Sequence, residues 1–282
     1  MCGIAGYVGE GNRGCLENMI AAIKYRGPDN RGFFSQGNVG LAHARLSIID
    51  LSDQGNQPMF SADKGIAIVF NGEIYNFKEL REELVRLGRY SFRSSSDTEA
   101  ILYLYKEYGE DCFSKLDGMF AIALYDFGED KLLLARDRLG KKPLYWAKFD
   151  STFIFASEIK AIARHPSFKK RLNLEALNKY FVYNYVPTPS SIFENVYKLG
   201  PATLLTWKDG KMSKRKFWTP SGSESKIGFR EAVARLGEEI ERSTKARLIS
   251  DVPLGVFLSG GIDSSTVAYY AQKNSMEKVK TF

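Results

Sequence analysis

Cysteine and histidine are scarce in this chain, and their scarcity removes several common chemistries. The three cysteines, Cys2, Cys15 and Cys112, are odd in number and irregularly spaced, which argues against a disulfide framework or a thiolate zinc site. The two histidines are His43 and His165, so a Cys–His protease pair would have to use one of them. His43 lies inside the apolar run Leu41-Ala42-His43-Ala44-Arg45, where a packed strand residue is expected. No apolar stretch reaches the ~18 residues of a membrane span, and the N-terminus lacks a basic-then-apolar signal peptide. No basic run is interleaved with aromatics, which argues against a nucleic-acid partner. Internal repeats and long low-complexity tracts are also missing. These absences point to a protein of the reducing cytoplasm with no membrane and no nucleic acid among its partners.

The composition itself is that of a globular chain. Its 282 residues are 44% hydrophobic and 26% charged, enough for a sizeable core and a prior of about two domains. The net charge of +7 is uneven, because residues 201–282 hold 14 Lys and Arg against nine Asp and Glu. That excess suits a C-terminal part that handles phosphates.

One of the three cysteines has a position with chemical meaning. Removal of Met1 would make Cys2 N-terminal, giving the thiol its own base in an α-amino group of pKa about 7.7–8.0. The bland alternative is an ordinary buried cysteine.

Hydrophobic patterning then sets out the organisation. Ile66–Phe70 reads as a buried strand followed by a turn at Asn71-Gly72-Glu73. Asn76 with Glu79 three residues on reads as a capping box opening a helix that Gly88 ends, and a second helix is expected over Asp97–Tyr108. Strands are expected over 119–125, 131–136, 144–147 and 152–156, with turns at Gly128 and Gly140. Strands before and after helices, without βαβ alternation, argue for a layered α+β domain. Residues 184–223 are rich in Pro and Gly and end in the polar stretch Ser221 to Ser225, which reads as a connection. After it come an amphipathic helix marked by Phe229, Ala232, Val233, Leu236 and Ile240, a buried strand over 254–258, a Gly-rich loop, and a helix start at Ser265.

Several motifs join Cys2 in a fixed order: Tyr25-Arg26-Gly27-Pro28-Asp29, LAHARLSIIDLS from Leu41, Asn56-Gln57-Pro58-Met59, FNGEIYNF from Phe70, Ser95-Ser96-Asp97-Thr98-Glu99, and ARDRLGKKPLY from Ala135. In this order they resemble the N-terminal-nucleophile glutaminase domain of glutamine-dependent amidotransferases, specifically of the asparagine synthetase family. The resemblance runs from Cys2 to about Leu199. The later LSGGIDSS resembles the ATP-pyrophosphate loop of that family's synthetase domain.

The resemblance implies a four-layer αββα fold over residues 2–200, a linker over 201–227, and over 228–282 the start of an α/β ATP-pyrophosphatase domain. It implies Cys2 as nucleophile, with the Asn71 amide and Gly72 N–H as oxyanion donors. It further implies a glutamine site of Arg45, Leu46, Ser47, Ile48, Ile49, Glu73 and Asp97, with Arg26 as a mobile lid residue. The planar fork of Arg45 suits an α-carboxylate, and Glu73 and Asp97 supply charge for an α-ammonium. In isolation Asn71-Gly72 is a hairpin turn, Asp97 a helix N-cap and Arg45 a surface ion-pair residue.

In the synthetase part, Leu258, Ser259, Gly260, Gly261, Asp263 and Ser264 are the implied ATP loop, in which consecutive N–H groups and a helix N-terminus form an anion site. Asp263 is the implied magnesium-side ligand. ATP and Mg would serve the complete synthetase, and the glutaminase half would need no cofactor. Glutamine, aspartate and ATP are the implied partners, together with a homodimer. The chain stops at what reads as the next strand, Val279 to Phe282, so a truncated product or fragment that makes ammonia without using it is expected. Alternatives are an amidotransferase acting on another carboxylate, such as a sugar acid, and a non-catalytic partner of a full-length synthetase.

Overall fold

The computed structural model describes residues 1–222 and 226–282, which form two compact units. The first comprises Met1–Ser47 and Ser52–Thr219, the second Ile48–Leu51 and Pro220–Phe282. The chain runs β1 (Gly3–Val8), α1 (Arg13–Ala22), β2 (Asn30–Gln36), β3 (Val39–Arg45), β4 (Met59–Phe60), β5 (Ile66–Ile74), α2 (Phe77–Arg86), α3 (Asp97–Tyr108) and α4 (Cys112–Lys115). It continues with β6 (Gly118–Asp126), β7 (Lys131–Arg136), β8 (Tyr145–Phe149), β9 (Thr152–Ala156), α5 (Ile159–Ile162), α6 (Leu174–Tyr183), β10 (Val196–Lys198), β11 (Thr203–Lys208) and β12 (Lys211–Lys216). The second unit holds α7 (Phe229–Ala246), β13 (Gly255–Val256), α8 (Ile262–Lys273) and β14 (Lys280–Thr281).

In the first unit two six-stranded antiparallel sheets, ordered β10-β8-β9-β1-β3-β2 and β12-β11-β7-β6-β5-β4, lie face to face. Alternation along β1 shows how the layers form. Ile4 and Val8 enter the core between the sheets with Leu41, Val69 and Leu134. Ala5 and Tyr7 turn the other way, against Leu16, Met19 and Ile20 of α1 and Ile162 of α5. On the outer face of the second sheet α3 packs on β5, beside α2. The result is the four-layer α+β architecture the motifs imply. By the same alternation Cys2, at the head of β1, shares the inter-sheet side with Ile4.

Three local expectations are corrected in this unit. Asn71-Gly72-Glu73 is not a turn: β5 runs on to Ile74, with Gly72 opposite Phe120 of β6. Glycine is required there because a side chain would strike the Met119 carbonyl across the ladder. Asn76 does precede α2 but makes no side-chain cap. Its amide instead donates to Lys115 O and accepts from the Asp117 N–H, tying the helix start to the approach of β6. Finally, residues 201–219 are not linker, since β11 and β12 extend the second sheet beyond β7. Part of the polar stretch, residues 223–225, lies outside the described residues.

In the second unit α7 and α8 pack together, with Lys273 paired to Glu241 at 2.8 Å. Segment 48–51 is pinned there: the Asp251 N–H donates to Ile48 O, and the Asp50 N–H donates to the Asp251 carboxylate. The expected buried strand over 254–258 reduces to Gly255–Val256, parallel to β14, and Phe257 is 86% exposed. Two strands cover too little area to bury that run. The last helix begins at Ile262, three residues ahead of the expected start, because Gly261 already takes the N-cap position.

Candidate active site

The nucleophile candidate is held by its own backbone neighbours. Cys2 Sγ donates to Leu46 O at 3.6 Å and accepts from the Leu46 N–H at 3.4 Å, just beyond the end of β3. Burial pushes the thiol pKa up, and the Leu46 N–H partly offsets this by favouring the thiolate. The Met1 ammonium is pushed down by burial, so an amine in this region gives up its proton more readily than one in water.

The hydrogen-bond register of β5 sets how the two candidate oxyanion donors, Asn71 and Gly72, are presented. Antiparallel strands alternate residues bonded inward with residues whose N–H and C=O point outward. The Phe70 N–H points outward to Gln57 Oε1 at 2.6 Å, and the Ile74 N–H points outward to Asp97 Oδ2 at 3.0 Å. Gly72 lies between them with the same parity. Its partner across the ladder, Phe120, has both backbone groups turned to Asp137. The Gly72 N–H is therefore aimed out of the sheet. The adjacent Asn71 side chain is 1% exposed, and among the described residues neither its Nδ2 nor its Oδ1 has a partner. A buried amide left unpaired costs about 1–3 kcal/mol, a cost a fold sustains where a ligand completes the bonding.

Two carboxylates stand at the same strand end. Asp97, at the head of α3, is pushed up to about 7, chiefly by burial, with the Ile74 N–H opposing and Glu73 adding to the rise. Glu73 is also raised by burial, with Lys142 opposing. Arg45 closes β3, buried, with Nη1 donating at 2.8 Å to both Ser52 O and Asn56 Oδ1. The guanidinium is thus fixed by a loop rather than lying free on the surface. The Ser47 N–H donates to the Asp29 carboxylate at 2.7 Å.

The structure departs from the implied set at Arg26. Arg26 is no lid: it is buried, with Nε donating to Cys2 O at 2.9 Å and Nη1 paired to Glu158 at 2.8 Å. A charge so deeply held cannot swing out cheaply, so Arg26 is a strap on the Cys2 carbonyl. Ile48 and Ile49 group with the second unit.

Three other residues carry no signal in local sequence. Gln57 joins Phe70 to α3 by donating to Thr98 Oγ1 at 3.1 Å. His43 Nε2 donates to Phe70 O at 3.1 Å. Lys142 is buried, and no ion pair to it occurs among the described residues. Burial lowers its pKa, and Glu73 and Cys2 are the main opposing charges, so the Lys142 amine lies within electrostatic reach of the thiol. Lys142 stands on a rigid loop. The Asp137 carboxylate accepts the N–H groups of Phe120, Leu139, Lys141 and Lys142, while Arg136 donates to the carbonyls of Gly140, Lys142 and Leu199. Only the fold reveals what ARDRLGKKPLY builds.

In the second unit, Leu258 and Ser259 lead from β13 into a loop where Gly260 takes φ +81°, a left-handed conformation that favours glycine. Ser259 and Ser264 hydroxyls lie 3.0 Å apart, and the N-terminus of α8 has no side-chain cap at Gly261. Asp263 lies in the first turn of α8. Among the described residues no group of three or more His, Cys, Asp or Glu is placed to hold a metal. None of the helices of these residues is long and apolar enough to cross a membrane, and all three cysteines are free.

Comparison with known proteins gives the chain's relatives. The family profile described as glutamine amidotransferase domain matches residues 1–218, and that described as asparagine synthase matches residues 235–282. "Asparagine synthetase [glutamine-hydrolyzing] 3" of Bacillus subtilis is 36% identical over 279 residues, covering 96% of this chain and 45% of that protein. "Putative asparagine synthetase [glutamine-hydrolyzing] 2" of Methanocaldococcus jannaschii is 35% identical, covering 100% of this chain and 59% of that protein. The chain thus spans about half the length of these curated relatives. Among solved structures, a glutamine phosphoribosylpyrophosphate amidotransferase from B. subtilis aligns with a TM-score of 0.58 at 17% identity, covering 100% of this chain and 65% of that one. That likeness concerns the fold.

Proposed function

Since the chain belongs to the glutamine amidotransferase family, with the opening of an asparagine synthase domain behind it, we propose that it works as the glutamine-hydrolysing part of an asparagine synthetase of the cytoplasm. The observation that carries this reading is the outward edge of β5. There the unpaired buried amide of Asn71 and the outward N–H of Gly72 stand beside the carboxylates of half-buried Glu73 and buried Asp97. Acyl transfer from an amide needs that set: nucleophile, oxyanion donors and a grip on the amino-acid end.

With Met1 removed, the α-amine of Cys2 accepts the thiol proton and Sγ attacks the side-chain amide carbon of glutamine. The C=O electron pair moves onto oxygen, where the Asn71 Nδ2 and Gly72 N–H receive it. The C–N bond then breaks, the amine returns its proton to the departing nitrogen, and ammonia leaves. Water attacks the remaining thioester, giving glutamate and the free thiol. Arg45 holds the substrate α-carboxylate, and Glu73 with Asp97 holds its α-ammonium. Leu46 fixes the nucleophile, and Ser47 continues that wall.

The strand–loop–helix at 255–273 fits a nucleotide phosphate chain, given its left-handed Gly260, two serine hydroxyls and uncapped helix start. Ser259, Gly260, Gly261 and Ser264 would hold phosphates next to Leu258, and Asp263 would offer a carboxylate to Mg. ATP bound there supplies the activation of an aspartate carboxylate that ammonia then amidates. Partners on this reading are glutamine, aspartate, ATP and a second copy of the chain.

The test is product stoichiometry: equal glutamate and ammonia released from glutamine without ATP or aspartate, and far slower turnover of glutaric acid monoamide, which lacks the α-amino and α-carboxyl grips. Turnover that requires ATP, or equal rates on the two amides, would contradict the proposal.

The carboxylate pair also sets a pH dependence. Asp97 is neutral below about pH 7 and charged above it, so its hold on an α-ammonium strengthens as pH rises. In plots of kcat/KM for glutamine, an acid limb is expected near pH 7, falling about tenfold per pH unit below it. Asp97→Asn should erase that limb and raise KM about tenfold, while any acid limb of kcat from the N-terminal amine persists. A limb unchanged in Asp97→Asn would assign it elsewhere.

A further inference from the structure

Phe70 is gripped from both sides by side chains. Its N–H donates to Gln57 and its carbonyl accepts from His43. The cause lies in the sheet. β4 pairs with β5 only at Ile68 and Ala67, so the outer ladder has ended before Phe70, and its outward-facing backbone groups need other partners. Gln57 supplies one and links onward to Thr98 of α3. His43 supplies the other from the opposite sheet, where it sits across from Ile4, two residues from Cys2. His43, Gln57 and Thr98 are all buried, and Phe70 immediately precedes the two oxyanion donors. Because a carbonyl only accepts, His43 must carry its proton on Nε2, and its Nδ1 has no partner among the described residues. Burial pushes the imidazole down to about 3, which keeps it neutral and unsuited to serve as the base near neutral pH.

We propose that His43 and Gln57 are positioning residues that fix the spacing between the strand bearing Cys2 and the strand bearing Asn71 and Gly72. The oxyanion donors are thereby pre-set rather than assembled by substrate. The inference rests on the glutaminase reading above. His43 spans the inter-sheet gap at its catalytic end, and Gln57 stops β5 from sliding relative to α3 and Asp97. Oxyanion donors act at full strength only at their designed distance, and a displacement of about 1 Å can cost a hundredfold in rate.

The experiment compares His43→Leu, His43→Gln and Gln57→Met with the parent chain in two reactions of Cys2. Amide hydrolysis of glutamine passes through an oxyanion, whereas alkylation by iodoacetamide is a displacement that forms none. His43→Leu and Gln57→Met are expected to lose about 10- to 100-fold in kcat, with KM within about threefold and alkylation rates unchanged. His43→Gln, whose amide reaches the Nε2 position, should recover most of the loss. Unchanged alkylation identifies a folded variant, and if His43→Leu fails to fold, Gln57→Met and His43→Gln still decide the matter. Retained kcat, an equal loss in alkylation, or no recovery in His43→Gln would overturn the positioning role while leaving the glutaminase reading intact. A parent chain with no Cys2-dependent hydrolysis would instead overturn that reading.

Discussion

Asn71→Ala is expected to lower kcat for glutamine hydrolysis by about a hundred- to a thousandfold, the loss typical of one oxyanion donor. KM should stay within a few-fold, because the donor is stretched toward charge that exists only on the way to the tetrahedral intermediate. Thermal stability offers an independent check on this role. In the folded chain the Asn71 amide is buried with both polar atoms unpaired, so replacing it with a methyl group removes an unfavourable burial and should leave Tm unchanged or higher. A purely structural asparagine would show the reverse pattern, with lower Tm and little change in kcat. Measuring both quantities on one preparation separates the two accounts.

Holding a residue in front of Cys2 is expected to bring hydrolysis to background. An uncleaved N-terminal extension turns the amine into an amide, which cannot accept the thiol proton. His43 cannot take the amine's place, because burial holds its imidazole down at about 3 and makes it a poor base near neutral pH. With burial already raising the thiol pKa, few molecules would carry a thiolate at neutral pH. Intact-mass measurement identifies the N-terminus, and the matched glutamate assay gives the rate. Full activity with the extension in place would refute the amine as base.

The layered α+β class and most strands could be read from the sequence, because period-two apolar runs such as Ile66–Phe70 and Thr152–Ala156 reflect burial in a sheet. What was misread had a local chemistry resembling something else. Asn71-Gly72 has the composition of a tight turn, yet Gly72 is glycine to clear a carbonyl on the next strand. Asn76 has the form of a helix cap, but its amide is used by residues some 40 positions away. Arg26 lies in a turn-like motif that shows nothing of its burial beneath Cys2.

Motif order pointed to the candidate site residues Cys2, Asn71, Gly72, Glu73 and Asp97. The supporting residues were illegible for a different reason. His43 meets Phe70, Gln57 meets Thr98, and Asp137 meets Phe120 only after the sheets form, and no spacing rule links such pairs.

The most direct test of the account is glutamate release from glutamine, without ATP, by the parent chain beside Cys2→Ala, both shown by mass to lack Met1. The account predicts steady release by the parent and none above the solution background by the variant. Equal release by both, or none from a folded parent chain, would contradict it.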